Sequence, residues 1–565
     1  MTAHSPAEIR ARLIGPGGAF EVVREDVRGE SMLVFRERTR SLRALLDQTA
    51  RFGDRIALSE GNVRISFDEL RERVEQLAAT LAQDHAIRPG DRVALFAANR
   101  WEWIAAFWAI ASLGSIPVLM NGFWTAEEFA DAASVVAPAL VIGDGPRLER
   151  ARKLQGGLPM LDLDEVMAGP DARRGGSATG RASAGSLPPI REDDPAFLIF
   201  TSGTTGRAKA VTVPHRAVCG FHQVSSFSEA YGKALFGLPL PQAGVPAPPS
   251  DDVILATSPL FHVSMLYGAV VMSVVKGSRV VLLPGRFDPE RVLQAIERER
   301  VTLWMALGSA APRVATFPRL AEFDTSSLRQ LGIGGAPVSP AVQSALRAAF
   351  PTAAHAVGMG YTSTEAGAVI ASIGGPEFAR HPTSTGRVTL TTEVELRDAD
   401  GRPAAPDAEG EVHVRSPYVM LGYWNDPVAT ARALKPGGWL ALGDIARFEG
   451  DLLFIDSRAR DMILVSAENV SPTEVEYCLE AHPRVREAAV VAVDDAVTGD
   501  AVAALVVVDP PVPVLEDELE AHCRAALAHY KVPTVWLVVA DALPRTPSGK
   551  IIKSEVRARI EARRA

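Results

Sequence analysis

Residues 199–211 read IFTSGTTGRAKAV: an apolar run opens into Thr201, Ser202, Gly203, Thr204, Thr205 and Gly206, and Lys209 follows. A strand ending in a turn of glycines and hydroxyl residues gathers backbone N–H groups and side-chain hydroxyls around one point. That arrangement suits a phosphate. The nearest general pattern, GxxxxGK[ST], fits poorly, because Ala208 stands at its second glycine and Ala210 at the Ser/Thr that would hold magnesium. Taken alone, the turn could also be a plain surface loop, the less favoured reading.

Outward from this stretch the chain alternates strand-like and helix-like segments. DRVALFA (91–97), SIPVLM (115–120) and ALVIG (139–143) precede it; DVILATS (252–258), RVVLLPG (279–285) and VTLWMAL (301–307) follow. Such alternation predicts α/β layers with parallel strands. From about residue 393 the pattern changes to short strands between turns, EVELRDADG, GEVHVRS and ARFEGDLLFIDSR, which predicts a β-rich subdomain over about 393–457. The last hundred or so residues again mix strands with helix-like segments. Two stretches rich in Gly, Pro, Ala and Ser, 168–189 and 238–252, read as mobile loops.

A chain of 565 residues has room for three or four units at about 150 residues each. With 47% hydrophobic and 22% charged residues it is an ordinary folded protein rather than a disordered one. The net charge of −9 gives no overall basic surface for nucleic acid or anionic lipid. Cys219, Cys478 and Cys523 form no CxxC pair, and the N-terminus lacks the apolar core of a signal peptide, so a cytoplasmic location is expected. Residues 103–124 carry no charge over about the length of a membrane helix. Gly114 and Pro117 divide them, however, and strand, buried helix, strand is the expected reading, with Trp101, Trp103, Phe107 and Trp108 as core.

Six further segments join the opening one. They are TSPLFHVSML (257–266), GGAPVSP (334–340), GYTSTEAG (360–367), GWLALGD (438–444), DSRARDMILVSAENVSPTEVE (456–476) and LPRTPSGKIIK (543–553). In this order they resemble the adenylate-forming superfamily of acyl-CoA synthetases, peptide-synthetase adenylation domains and luciferases, the acyl-CoA synthetases above all. The resemblance implies an α/β fold: a large body of layered sheets over 1–457 and a small mobile α+β lobe over 458–565. It implies a hinge at about 458–460, with Arg460 at the family's hinge position. It also implies an ATP-dependent, AMP-forming acid–thiol ligase that uses Mg²⁺ and coenzyme A.

The implied roles suit the residue types. Joining a carboxylate to the α-phosphate of ATP brings two anions together, so neutralising charge and aligning the groups matter most. Thr201 to Gly206 with Lys209 would cradle the β- and γ-phosphates. Thr364 would bond the α-phosphate, and Glu365 would hold Mg²⁺, a hard ion suited to oxygen. Gly360 and Tyr361 on one side and Gly334, Gly335, Ala336 and Pro337 on the other would enclose the adenine. Asp444 and Arg458 would hold the ribose. Lys550 would be swung onto the charge between carboxylate and α-phosphate, and His262 would lie between acyl pocket and thiol channel; for His262 a satisfied core histidine is the competing reading. Ser466 and Ala467 would line the thiol channel after the lobe rotates.

Five positions depart from the family's pattern. Ala208 and Ala210 flank the loop lysine in place of proline and glycine, Leu442 replaces a threonine, and Ser466 and Ala467 replace two glycines. The extra methyl of Ala210 is expected to crowd backbone that must approach phosphate. The other changes leave open whether both half-reactions are intact. The chain ends about fifteen residues after Lys550 in ARRA, so free coenzyme A is the expected acceptor. The alternatives are a separate carrier protein, a partner ligase that performs one of the two steps, or a silent nucleotide-binding protein. The segments around the expected acyl pocket, HRAVCGFHQV, PLFHVSM and GMGYT, are small and apolar, which points to a hydrophobic carboxylic acid, fatty or polycyclic.

Overall fold

The structure, a computed structural model, describes residues 5–153, 157–167, 188–201, 208–307, 310–334, 338–458, 461–465, 468–495, 499–508, 516–546 and 549–564. Two large sheets dominate the N-terminal body. The first has seven strands in the order Gly422–Tyr423, Lys209–Pro214, Pro195–Thr201, Ile116–Leu119, Arg92–Phe96, Leu140–Gly143, Met160–Asp162. Its strands run parallel from Pro195–Thr201 to Met160–Asp162. At the other edge Lys209–Pro214 returns antiparallel beside Pro195–Thr201, and Gly422–Tyr423 pairs antiparallel outside it. The expected parallel pattern stops here for a geometric reason. The 202–207 connection is too short for a parallel crossover, which takes about a dozen residues or more.

The second sheet has nine strands in the order Arg387–Val388, Val369–Gly374, Val357–Thr362, Gln330–Gly334, Leu303–Leu307, Val253–Ala256, Arg279–Leu282, Ile56–Glu60, Val63–Ser66. It is parallel from Val357–Thr362 through Ile56–Glu60 and antiparallel at both edges. The uncharged stretch forms the helix Trp101–Ser112 and the strand Ile116–Leu119. That helix touches strands of both large sheets, and Trp103, Phe107 and Trp108 are fully buried. An apolar surface all round suits a helix walled in by protein. Among the described residues no helix is long and apolar enough to cross a membrane.

A five-stranded sheet follows, built from Glu393–Arg397, Gly410–Arg415, Leu434–Lys435, Trp439–Glu449 and Leu452–Arg458, with antiparallel pairing throughout. This is the β-rich end of the body. The small C-terminal domain has its own five-stranded sheet, centred on the long hairpin of Val485–Asp495 and Gly499–Val508. Helices Pro472–Glu480 and Glu516–Ala526 bury Val475, Leu479 and Leu519 against one face; Lys553–Arg564 buries Val556 and Ile560 against the other. These two apolar clusters contain no residue before Ile463, and those of the body contain none after Ile455. Residues 188–189 and 238–252 carry no helix or strand, and 168–187 lie outside the described residues. The three cysteines are free thiols.

Candidate functional site

The ends of the opening stretch are fixed by the hairpin it closes. Thr201 and Lys209 face each other across the ladder, at the two ends of the 202–207 connection. Next to them Tyr423 is registered against Val211 on the outer strand. Lys209 and Val211 lie on the same face, two residues apart, so Tyr423 sits diagonally from Lys209. The Lys209 Nζ accordingly lies 5.0 Å from the centre of the Tyr423 ring.

Gly334 ends its strand and Gly360 stands two residues before the end of the adjacent parallel strand Val357–Thr362, each following the registered pair Ile333 and Met359. A Cβ on Gly334 would stand 3.8 Å from the Gly360 carbonyl, so the two backbones lie close side by side. Carboxyl ends of parallel strands are where open α/β sheets bind ligands. Tyr361 follows directly, and the chain then turns through Ser363–Gly367. Ser363 Oγ accepts from Ala366 N at 3.0 Å, and the Thr364 carbonyl accepts from Gly367 N at 3.3 Å. Gly367 has φ +70°, and a Cβ there would fall 2.0 Å from the Tyr418 carbonyl, so glycine is required. The buried Tyr267 hydroxyl donates to the Gly367 carbonyl at 2.7 Å and pins the turn from below.

That turn presents Glu365. Its carbonyl accepts from Met420 N at 2.9 Å, and its Oε1 accepts from the Tyr423 hydroxyl at 3.1 Å. Burial first, then the Glu365 carboxylate, push the Tyr423 phenol above its ordinary range, which keeps it a proton donor. Among the described residues no cluster of three or more potential metal ligands exists, and Glu365 offers a single carboxylate. A single carboxylate is what Mg²⁺ asks of a protein when substrate phosphates supply the other oxygens. The residues present therefore fit the ion.

Asp444 reaches the same place from the five-stranded sheet. It is buried, and its Oδ2 accepts from the Tyr361 hydroxyl at 2.5 Å. Gly443 before it has φ +73°, and its N–H donates to Glu411 Oε1 at 3.2 Å. Arg458 occupies the register position opposite Asp444. The seven-, nine- and five-stranded sheets are thus joined here by Tyr361–Asp444 and by Tyr423 with Glu365 and Lys209.

His262 caps the short helix Val263–Met265 beyond the carboxyl end of Val253–Ala256. Asn99 clamps this segment from the seven-stranded sheet, donating to the Ser258 carbonyl at 2.7 Å and accepting from Leu260 N at 2.9 Å. The His262 Nδ1 is buried and has no hydrogen-bond partner among the described residues, unlike a satisfied core histidine. Burial and then the charge of Lys550 hold the imidazole below its ordinary range. Lys550 belongs to the C-terminal domain, between the strand Val535–Val539 and the helix Lys553–Arg564. Its turn is a tight one: Gly549 has φ +85°, Thr546 N donates to the Lys550 carbonyl at 2.8 Å, and Arg545 Nη1 donates to the Gly549 carbonyl at 2.7 Å.

Thr201, Lys209 and Gly334 lie at strand ends, Gly360 and Tyr361 within the last three residues of their strand, Thr364 and Glu365 in the turn after it, Asp444 inside a long strand, His262 at a helix start and Lys550 shortly before the final helix. Ser202, Gly203, Thr204, Thr205, Gly206, Gly335, Ala336, Pro337, Arg460, Ser466 and Ala467 lie outside the described residues, as does the Arg458 side chain. One expectation is corrected. Ala210 is 1% exposed and packs into the apolar cluster with Phe96, Val118 and Leu198, on the strand face opposite Lys209. Its methyl therefore points into the core, not at the phosphate side. Leu442 is half-buried and packs against the main cluster. Tyr423 and Asn99 went unread in the sequence, although GYWND lies just before a helix start and invited no chemistry by itself.

Comparison with known proteins gives two family matches: residues 45–424 to the AMP-binding enzyme model and 474–550 to the AMP-binding enzyme C-terminal domain. A feruloyl-CoA synthase from Amycolatopsis sp is 33% identical over 89% of this chain and 95% of its own. The 3-[(3aS,4S,7aS)-7a-methyl-1,5-dioxo-octahydro-1H-inden-4-yl]propanoyl:CoA ligase of Rhodococcus jostii (strain RHA1) is 32% identical over 91% of this chain and 97% of its own. Among solved structures, an amide bond synthetase from Marinactinospora thermotolerans is 31% identical with a TM-score of 0.76, over 92% of this chain and 99% of its own.

Proposed function

The chain belongs to the AMP-binding enzyme family, whose members are ATP-dependent, AMP-forming ligases, and from that premise we propose that it activates a hydrophobic carboxylic acid as its adenylate and passes the acyl group to coenzyme A. The observation that supports this reading is the set of contacts joining the sheets, Tyr361 with Asp444 and Tyr423 with both Glu365 and Lys209. In this reading Lys209 and the 201–206 loop hold the β- and γ-phosphates, and Thr364 holds the α-phosphate. Tyr361 with residues 334–337 encloses the adenine, and Asp444 with Arg458 holds the ribose. Glu365 would hold Mg²⁺, which would offset phosphate charge. Lys550 stabilises the charge that builds between carboxylate and α-phosphate.

The acyl group would lie among Phe221, Phe261, His262, Met305 and Met359. These half-buried side chains carry no formal charge at pH 7, His262 being neutral, and they favour an apolar acid. The two ligase relatives are named for an aromatic acid and for a bicyclic propanoate, which supports a ring-bearing substrate. The boundary between body and mobile lobe falls at 458–460, between the separate apolar cores, and the lobe turns there to admit the thiol through Ser466 and Ala467.

A second reading has the chain make the adenylate and hand it to another nucleophile, an amine or a carrier thiol. The likeness to an amide bond synthetase favours it. Pyrophosphate exchange with a panel of aromatic, bicyclic and fatty acids tests the first step; adding coenzyme A or an amine to the same panel separates the two readings. No exchange with any acid would count against both.

A further inference from the structure

We propose that Tyr423 is a positioning residue for adenylation: its hydroxyl orients the Glu365 carboxylate for a divalent cation while its ring holds the Lys209 ammonium. The proposal rests on the reading of Glu365 and Lys209 as groups that handle ATP. One side chain then sets the distance between the two charges that must close on the same triphosphate.

Three observations converge on it. The Tyr423 hydroxyl donates to Glu365 Oε1 at 3.1 Å, which occupies one carboxylate oxygen and fixes the plane in which the other is presented. Lys209 Nζ lies 5.0 Å from the ring centre, inside the range of a cation–π contact. The backbone of Tyr423 is itself anchored. Its strand pairs with the lysine strand through Val211 and Thr212, and its N–H donates to Thr430 Oγ1 at 2.9 Å. The Glu365 turn is tied to the same segment by the bond from Met420 N. Tyr423 is therefore held against the lysine strand on one side and the carboxylate turn on the other.

A tyrosine kept only for packing would tolerate phenylalanine, whereas a positioning tyrosine would not, and its two functions separate in two variants. Tyr423→Phe keeps the ring and removes the hydroxyl; Tyr423→Leu removes both. Mn²⁺ binding to the whole protein, followed by electron paramagnetic resonance in the presence of α,β-methylene ATP, reads the cation site without turnover. Pyrophosphate exchange at varied Mg²⁺ and ATP reads the same site in action.

Tyr423→Phe is expected to weaken Mn²⁺ binding and raise the Mg²⁺ requirement about tenfold, the size of one lost hydrogen bond to a charged group, with KM for ATP at saturating Mg²⁺ nearly unchanged. Tyr423→Leu is expected to add a severalfold rise in KM for ATP. Both variants should melt cooperatively. Unchanged Mn²⁺ binding and Mg²⁺ dependence in a folded Tyr423→Phe protein would overturn the proposal. If the wild-type protein exchanges no pyrophosphate with any acid, the adenylation reading fails, and the Mn²⁺ titration still decides the role of Tyr423.

Discussion

The Tyr361 hydroxyl donates to the buried Asp444 carboxylate across 2.5 Å, joining the end of a parallel strand in the nine-stranded sheet to the β-rich sheet. A phenol on a buried carboxylate satisfies a charge that would otherwise be costly. It also places a ring and a carboxylate side by side, as enclosure of a base and its ribose requires.

Removing that hydroxyl tests the nucleotide end of the site. Tyr361→Phe keeps the ring but leaves Asp444 one donor short, a loss of about 1.5–3 kcal/mol for a bond to a charged group. KM for ATP in pyrophosphate exchange should rise about tenfold or more, with kcat changed far less. An unchanged KM would show that Asp444 needs no such support to hold the nucleotide.

Ala210→Gly addresses the one corrected expectation. The methyl fills a core site, and glycine within a strand also costs backbone entropy, so unfolding in urea should show a loss of about 1–2 kcal/mol. Adenylation should not quicken. A faster exchange rate at unchanged stability would restore the idea that this methyl hinders phosphate.

Acid should loosen the body through His215. This histidine is buried, its Nδ1 accepts from Leu42 N at 3.2 Å, and burial, then the Arg43 charge, push it down to about 3 from an ordinary 6.5. Between those values the unfolded chain binds one more proton than the folded one. Stability from this group therefore falls as pH falls from about 6.5 toward 3, by at most about 1.4 kcal/mol per unit. Comparing unfolding free energies at pH 5 and 7, His215→Asn should show a shallower dependence than wild type. Equal slopes would mean that His215 titrates normally in the fold.

Much of this was legible in the sequence because it rests on local chemistry. The strands DRVALFA, SIPVLM, RVVLLPG and VTLWMAL form where their β-branched and apolar runs predict them, and Gly114 divides the uncharged stretch as expected. What escaped depends on pairing between distant segments. Tyr423 gains its role only because a two-residue strand docks on Lys209–Pro214, some two hundred residues earlier in the chain. The direction of the Ala210 methyl was recoverable in principle, since alternation along KAVTV puts Lys209 and Ala210 on opposite faces. That requires the lysine to lie in a strand; read as part of a loop, the stretch offers no such face. The influence of the Lys550 charge on His262 depends on how the C-terminal domain meets the body, which no local pattern gives.

The central claim, that Lys550 serves adenylation and not thiol transfer, is tested most directly by Lys550→Ala in two half-reaction assays. Pyrophosphate exchange with the best acid should fall by about two to three orders of magnitude, as for a lost group that meets charge developing in the transition state. Thioester formation from supplied acyl-adenylate and coenzyme A should stay within about twofold of wild type. Equal loss in both assays, or full exchange activity without the lysine, would contradict the account.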